Sequence, residues 1–379
     1  MDFDLKEDHK ALQSSVRSFV DREVKPLAAQ IDEAHSIPQS LIDKMRRMGM
    51  LGSYLPEEYG GSGLDILSYA IVVEEVSKAC ASSGILISAH TSLACDPILS
   101  FGSPAQKEEH LPPLASGDKI GCILLTESEA GSDPAGLATT YRKDGGGYVI
   151  NGSKIFITNG GYLGTGILFA TGDRSLKHKG ISAFIVDLSS PGVEVLRNES
   201  KLGIRGSYTT SFAIRDLHVP AESLLGEEGQ GFKIAMETLN GGRIGVAAQA
   251  LGIAEGAFER ALAYSRQRKQ FGRAISEFQA IQFKLADMYI GIETSRLLTY
   301  RAAWLKQAGR PYATESAMCK LHASETATYV TKEAIQIHGG YGYITEYEVE
   351  RMFRDAKITE IYEGTSEVQR LVISRALLT

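Results

Sequence analysis

Apolar residues recur at helical spacing over the first third of the chain, gather into short β-branched runs, then return to helical spacing. Leu12, Val16, Phe19, Val20 and Val24 mark one helix face before Pro26 disturbs the run. Leu41, Met45 and Met48 follow Ser36-Ile37-Pro38 as a second helix that stops at Gly49 or Gly52. After the loop Pro56 to Gly63, a third helix carries Ile66, Tyr69, Val73 and Val76, and the apolar segment Ile85 to Leu99 forms another. From about Lys119 the texture changes. Runs at Tyr148 to Ile150, Lys154 to Thr158, Gly166 to Ala170, Ala183 to Val186, Val193 to Val195 and Ser211 to Val219 alternate with Gly, Asn and Asp turns. Strands this close, without helices between them, imply an antiparallel barrel or sandwich.

Beyond Gly226 to Gly231, Ile244, Ala247, Leu251, Ala254 and Phe258 share one helical face, and Ile281, Leu285, Met288 and Ile292 another. Long helices with short connections imply a bundle. The expected fold class is α+β, in three domains: helical over 1–119, β-rich over 120–226, and a helical bundle over 227–379. A length of 379 residues exceeds one ordinary core and agrees with that division. No internal repeat or low-complexity tract interrupts it.

Composition narrows the function. Hydrophobic content of 43% and charged content of 23% are ordinary for a soluble globular protein. A net charge of −6 without a long basic run argues against nucleic acid. Met1 to Lys6 is charged and lacks the apolar core of a signal peptide, and no stretch reads as a bilayer span. The four cysteines form no CxxC pair and the eight histidines show no HxxxH or HExxH spacing, so no disulfide framework or metal site is expected. The expected compartment is a reducing cytoplasm or organelle matrix, not the secretory route.

Glu363 is the most informative residue. It stands between Tyr362, which can screen it from water, and Gly364, which lets backbone approach a ligand. Thr365 or Ser366 can then cap a terminal helix from Glu367 to Leu378, whose free N–H groups suit an anion. Taken alone, it also reads as a solvated Glu in a turn. There is no Rossmann fingerprint and no P-loop, so a nucleotide would need another seat. Three segments offer one: Leu125 to Gly136, Phe156 to Gly161, and Gln336 to Tyr343. Singly, these also read as a decorated turn, a hairpin and a helix stop.

Together the segments resemble the acyl-CoA dehydrogenase family over essentially the whole length. Thr126-Glu127-x-x-Ala130-Gly131-Ser132-Asp133-x-x-Gly136 fits one family pattern. Gln336-x-x-Gly339-Gly340-x-Gly342-Tyr343-x-x-Glu346, continued by Arg351, Asp355 and Tyr362 to Thr365, fits another. The nearest likeness is to the short-chain, butyryl-CoA type. The resemblance implies a helical N-terminal domain, a middle antiparallel β domain and a C-terminal four-helix bundle. It implies removal of two hydrogens from an acyl-CoA to give a trans-2-enoyl-CoA, with Glu363 taking the α-proton and the β-hydride passing to N5 of FAD. A free Glu titrates near ~4.3, so such a base needs an apolar pocket.

By the same resemblance, Ile123, Leu125, Thr126, Gly131 and Ser132 line the flavin, Phe156 and Ile157 lie against it and Thr158 bonds at N5. Thr365 and Glu367 meet the ADP half. Arg268, Gln270, Phe271, Phe278, Gln279, Gln336, Gly339 and Gly340 match the segments that reach a neighbouring subunit's FAD, which implies a homotetramer built as a dimer of dimers. Ser132, Asn240, Arg243, Tyr362 and Gly364 match the substrate side, and the backbone N–H of Glu363 polarises the thioester. Asn240 departs from the Asp common there, which puts that CoA contact in doubt. Gly242 stands where long-chain and isovaleryl-type relatives carry their catalytic Glu, so the base falls to Glu363. The inner wall is expected from Ser88 to Leu99 and Leu239 to Ala248, with Asp96 either lining it or capping a helix at Pro97. A short linear acyl group is the first expectation, a branched or cyclic one the alternative. Electron-transferring flavoprotein is the expected acceptor; a flavin oxidase, or a helical assembly without catalysis, are the rival readings.

Overall fold

The structure is a computed structural model and describes residues 4–378. Seven helices lead: α1 (Glu7–Phe19), α2 (Ala28–Ala34), α3 (Gln39–Arg47), α4 (Ile66–Ala79), α5 (Ala81–Ala89), α6 (Asp96–Phe101) and α7 (Pro104–Ala115). Their ends are set by local chemistry. Asp65 Oδ1 accepts from the N–H of Ser68 at 2.7 Å to start α4, and Ser103 with Gln106 forms a capping box ahead of Pro104 on α7. Gly49, past the end of α3, takes a φ of 68° that other residues resist.

One sequence expectation needs correcting. The helical stretch Ala81–Phe101 is long and apolar enough to cross a membrane, yet 83% of its most apolar window is buried inside the protein. A helix surrounded by other helices is apolar on all sides for that reason.

The middle region is one eight-stranded sheet. Its strands are β1 (Cys122–Leu124), β2 (Thr140–Asp144), β3 (Gly147–Thr158), β4 (Thr165–Thr171), β5 (Ile181–Asp187), β6 (Val193–Asn198), β7 (Thr209–Pro220) and β8 (Leu224–Leu225). The order is β6-β7-β3-β2-β4-β5-β8, with β1 beside β4. Most pairs are antiparallel as expected, but β4 pairs in parallel with β1 and, at one position, with β2. The runs at 148–150 and 154–158 are one strand, while β1 and β2 carry no expected run.

Three long helices dominate the remainder: α8 (Gly231–Gln267), α9 (Gln279–Gln307) and α10 (Ala313–His338). A small hairpin, β9 (Lys269–Gln270) with β10 (Arg273–Ala274), links α8 to α9. The short α11 (Val349–Ala356) and the terminal α12 (Ser366–Leu378) pack on α10. Helix α8 also lies against α4 and α5, so the first and last regions share one core. At Gly252 on α8 a side chain would meet the carbonyl oxygen of Glu74 at 2.2 Å, so only glycine permits this approach.

Candidate active site

Strand β3 supplies the first wall through a defect in its pairing. Lys154 faces Phe212 and Ile157 faces Thr210 on β7, so one extra residue is inserted between them. Phe156 falls in this bulge, with φ at 60° and 59% of its surface exposed. Bulges re-aim side chains next to sites, and here the result is a bare ring beside Thr158.

A cavity of about 180 Å³ opens against that wall. Ile123, Leu125, Thr126, Gly131 and Ser132 border it from β1 and the following loop; Phe156, Ile157 and Thr158 border it from β3. Arg243 enters from α8, and Tyr362, Glu363 and Gly364 from the turn before α12. Ala89, Leu93 and Leu239 come from the stretches expected to form the inner wall, whereas Ile85, Met236 and Val368 were not foreseen. Asn240 lies off the cavity and accepts from Arg243 Nη1 at 2.8 Å through its Oδ1.

The turn that carries Glu363 is strained and clamped. Glu363 has φ at 52° and Gly364 at 93°. Gln369 Nε2 donates to the carbonyl oxygens of Glu363 at 3.1 Å and Gly364 at 2.8 Å, and Lys320 Nζ donates to the latter at 2.8 Å. The Tyr362 hydroxyl donates to Gln249 Oε1, and Gln249 Nε2 donates to the carbonyl of Ala81 at 3.0 Å. Neither Lys320, Gln249 nor Gln369 was foreseen, since their role depends on helices meeting far apart in sequence. Oε2 of Glu363 is sealed from solvent and has no hydrogen-bond partner. Burial pushes its pKa up to about 7, against the pull of Arg243 and Lys320. A carboxylate so placed is a base poised near neutrality.

Arg243 is itself buried, and its Nε has no partner. Burial lowers its pKa, and no ion pair holds it among the described residues. It is a cation turned toward a site rather than spent on a structural bridge. Asp96 corrects an expectation: it neither lines the cavity nor caps a helix. A π-helical turn over His90–Cys95 carries α5 straight into α6, so no helix terminus exists there, and Asp96 pairs with Lys306 Nζ at 2.8 Å.

The loop after β1 is fixed from behind by a sealed ion pair. Lys154 Nζ donates to Glu127 Oε1 at 2.7 Å and to the carbonyl of Leu125 at 3.2 Å. Glu127 also accepts from the N–H of Thr139 at 3.1 Å and of Ala138. Lys154 sits in an apolar strand run, where sequence offers no sign of its partner.

A second cavity of about 470 Å³ shares no residue with the first. It gathers Arg268, Gln270, Gly339 and Gly340 with Tyr264 and Tyr341. Arg268 lies over the Tyr341 ring at 5.5 Å, and a side chain at Gly339 or Gly340 would meet nothing within 4 Å. Phe271, 93% exposed, sets its ring on Phe278 at 6.2 Å; Phe278 and Gln279 begin α9, and Gln336 lies in the last turns of α10. None of these four lines the second cavity. Thr365 Oγ1 accepts from the N–H of Val368 at 3.4 Å at the start of α12, and Glu367 is in its first turn.

Each cavity has features that suit one part of a flavin dinucleotide. The first offers an exposed ring, a hydroxyl, and at Gly131 a loop where a side chain would meet nothing within 4 Å. The second offers Arg268, which forms no ion pair among the described residues, and an open glycine cradle, which suit a phosphate. Among the described residues no cluster of His, Cys, Asp or Glu could hold a metal.

Three domain families match in succession: the N-terminal domain of acyl-CoA dehydrogenase over 6–118, its middle domain over 122–217 and its C-terminal domain over 229–378. The chain is 54% identical over 374 residues to the short-chain specific acyl-CoA dehydrogenase of Clostridium acetobutylicum, covering 99% of each. The butyryl-CoA dehydrogenase structure from Megasphaera elsdenii is 49% identical with a TM-score of 0.98, covering 100% of both chains. A chain in the structure of the electron transferring flavoprotein of Acidaminococcus fermentans is 51% identical, also with a TM-score of 0.98 and 100% of both chains covered.

Proposed function

The chain belongs to the acyl-CoA dehydrogenase family, and from that premise we propose how its residues divide the work. It is an FAD-dependent oxidoreductase of acyl-CoA thioesters. Glu363 takes the α-proton of a short linear acyl-CoA, and its backbone N–H donates to the thioester oxygen. FAD, when bound, supplies the acceptor for the β-hydrogen and its electron pair. The observation that carries this reading is the sealed, unpartnered Oε2 of Glu363, on a residue that borders the first cavity.

Ile123 to Ser132 and Phe156 to Thr158 hold the flavin ring, while Thr365 and Glu367 meet the far half. Arg243, Ser132, Tyr362 and Gly364 hold the thioester end. Asn240 acts through Arg243, whose guanidinium it orients. The likeness to short-chain specific and butyryl-CoA dehydrogenases supports a short acyl group.

The second cavity serves the FAD of a neighbouring subunit, so the working form is a homotetramer. Along α9, Phe283, Ile290, Leu297 and Trp304 stand seven residues apart and each is more than half exposed, a stripe suited to a partner helix. Electrons pass on to electron-transferring flavoprotein, in keeping with the company kept by the Acidaminococcus chain.

Anaerobic bleaching of the flavin by a panel of acyl-CoAs tests the assignment. Butyryl-CoA should bleach fastest, and Glu363→Gln should bind it yet lose bleaching by orders of magnitude, because an amide cannot accept the proton. A branched acyl-CoA bleaching faster would reassign the substrate. Rapid reoxidation by air with peroxide released would point to an oxidase instead.

A further inference from the structure

Lys320 on α10 is fully buried, forms no ion pair among the described residues, and touches neither cavity. Its Nζ donates to the carbonyl oxygen of Gly364, which also receives Gln369. Two donors on one carbonyl lock the left-handed Glu363–Gly364 pair, a conformation that costs energy unless its surroundings impose it. A buried ammonium is itself expensive, so a lone one bonded to the turn that carries a base calls for a role.

We infer that Lys320 is a positioning residue: its donor pins the Glu363 turn from behind, and its buried ammonium places a positive charge beside that turn. The inference rests on Glu363 being the proton acceptor. Two cations act on that carboxylate, Arg243 from α8 and Lys320 from α10. Arg243 borders the cavity, whereas Lys320 lies outside it and donates to the Gly364 carbonyl behind the turn. The other titratable groups around them are Tyr69 from α4, Glu360 and Glu367 on either side of the turn, and Tyr312 and Cys319 near Arg243. None of these adds positive charge. Glu363 is the strongest charge acting on Lys320, whose pKa burial pulls down to about 8, so the two groups sense each other directly.

Three holoenzyme variants separate clamp from charge. Lys320→Gln keeps a donor and loses the cation, Lys320→Arg keeps both, and Lys320→Met loses both. Two readings apply: the pH dependence of flavin reduction by butyryl-CoA, and the ¹³C NMR titration of carboxyl-labelled Glu363, assigned by its loss in Glu363→Gln. Losing a nearby cation favours the neutral carboxyl, so both midpoints should rise on the order of one pH unit in Gln and Met and stay put in Arg. Met should also lose rate on the high-pH plateau, because the turn loosens. If Met fails to fold, Gln decides alone. Should Gln titrate like the parent while only its melting temperature falls, Lys320 is structural and the inference fails. A shift of the NMR midpoint that the rate profile does not follow would uphold Lys320 and overturn Glu363 as the base.

Discussion

A methyl group built on Gly242 of α8 would stand 1.9 Å from Oε2 of Glu363. The helix and the turn before α12 therefore share one volume, and only one of the two positions can carry a side chain into it. Glycine at 242 is what leaves the carboxylate room. Gly242→Ala should keep the fold and the flavin spectrum but push Glu363 off the substrate. A displacement of about 1 Å costs on the order of 100-fold in rate. Stopped-flow flavin reduction at parental rate would show that Glu363 is not held where the geometry has it.

Burial gives Glu363 a pH signature with a definite sign. Its folded pKa of about 7 lies above the usual carboxylate value, so reduction should quicken as pH rises through neutrality. The folded state binds this proton more tightly than the unfolded chain does. The cost of burying Glu363 is thus absent below about pH 4, grows as pH rises, and is complete above about pH 7. Glu363→Gln should be more stable than the parent at pH 8, by up to roughly 3 kcal/mol, and equal to it at pH 4. Denaturation at both values checks this; equal stability at pH 8 would mean the carboxylate is not desolvated.

The helical ends and the β-rich middle were legible because apolar spacing reports burial residue by residue. Glu363, the glycines and the hydroxyl-bearing loop stood out together through the family resemblance, since singly each also reads as a turn, a hairpin or a helix stop. The bulge at Phe156 was not, since it exists only relative to β7. Short β1, and β2 with its mostly exposed side chains, gave no apolar run to detect. Nothing in the sequence marks Lys154 or Lys320 as buried, since tertiary contacts alone enclose them, and the π-helical turn before Asp96 left no trace in composition.

Lys154 yields a prediction of its own. Removing one partner of a sealed ion pair strands the other, at a cost of about 3–5 kcal/mol. In Lys154→Met, Glu127 would be left buried, and the loop it ties through Ala138 and Thr139 should loosen. The purified variant should melt earlier and carry less flavin, seen in its ratio of visible to ultraviolet absorbance. Adding Glu127→Gln should recover part of the stability, because the stranded charge is gone. A single variant with parental flavin content and melting temperature would refute the part given to this pair.

Arg268 tests whether the second cavity completes a neighbour's cofactor site. Its guanidinium lies over the Tyr341 ring, beside the open glycines 339 and 340, and among the described residues it forms no ion pair. A charge-assisted bond to phosphate is worth roughly 1.5–3 kcal/mol, so Arg268→Ala should weaken flavin retention about 10- to 100-fold. Because the phosphate would belong to another subunit, assembly should weaken along with it. Light scattering on a size-exclusion column, with flavin absorbance followed across the peak, reads both at once. Loss of flavin from an intact tetramer would limit Arg268 to the cofactor, and a parental monomer holding its flavin would end the shared-site reading.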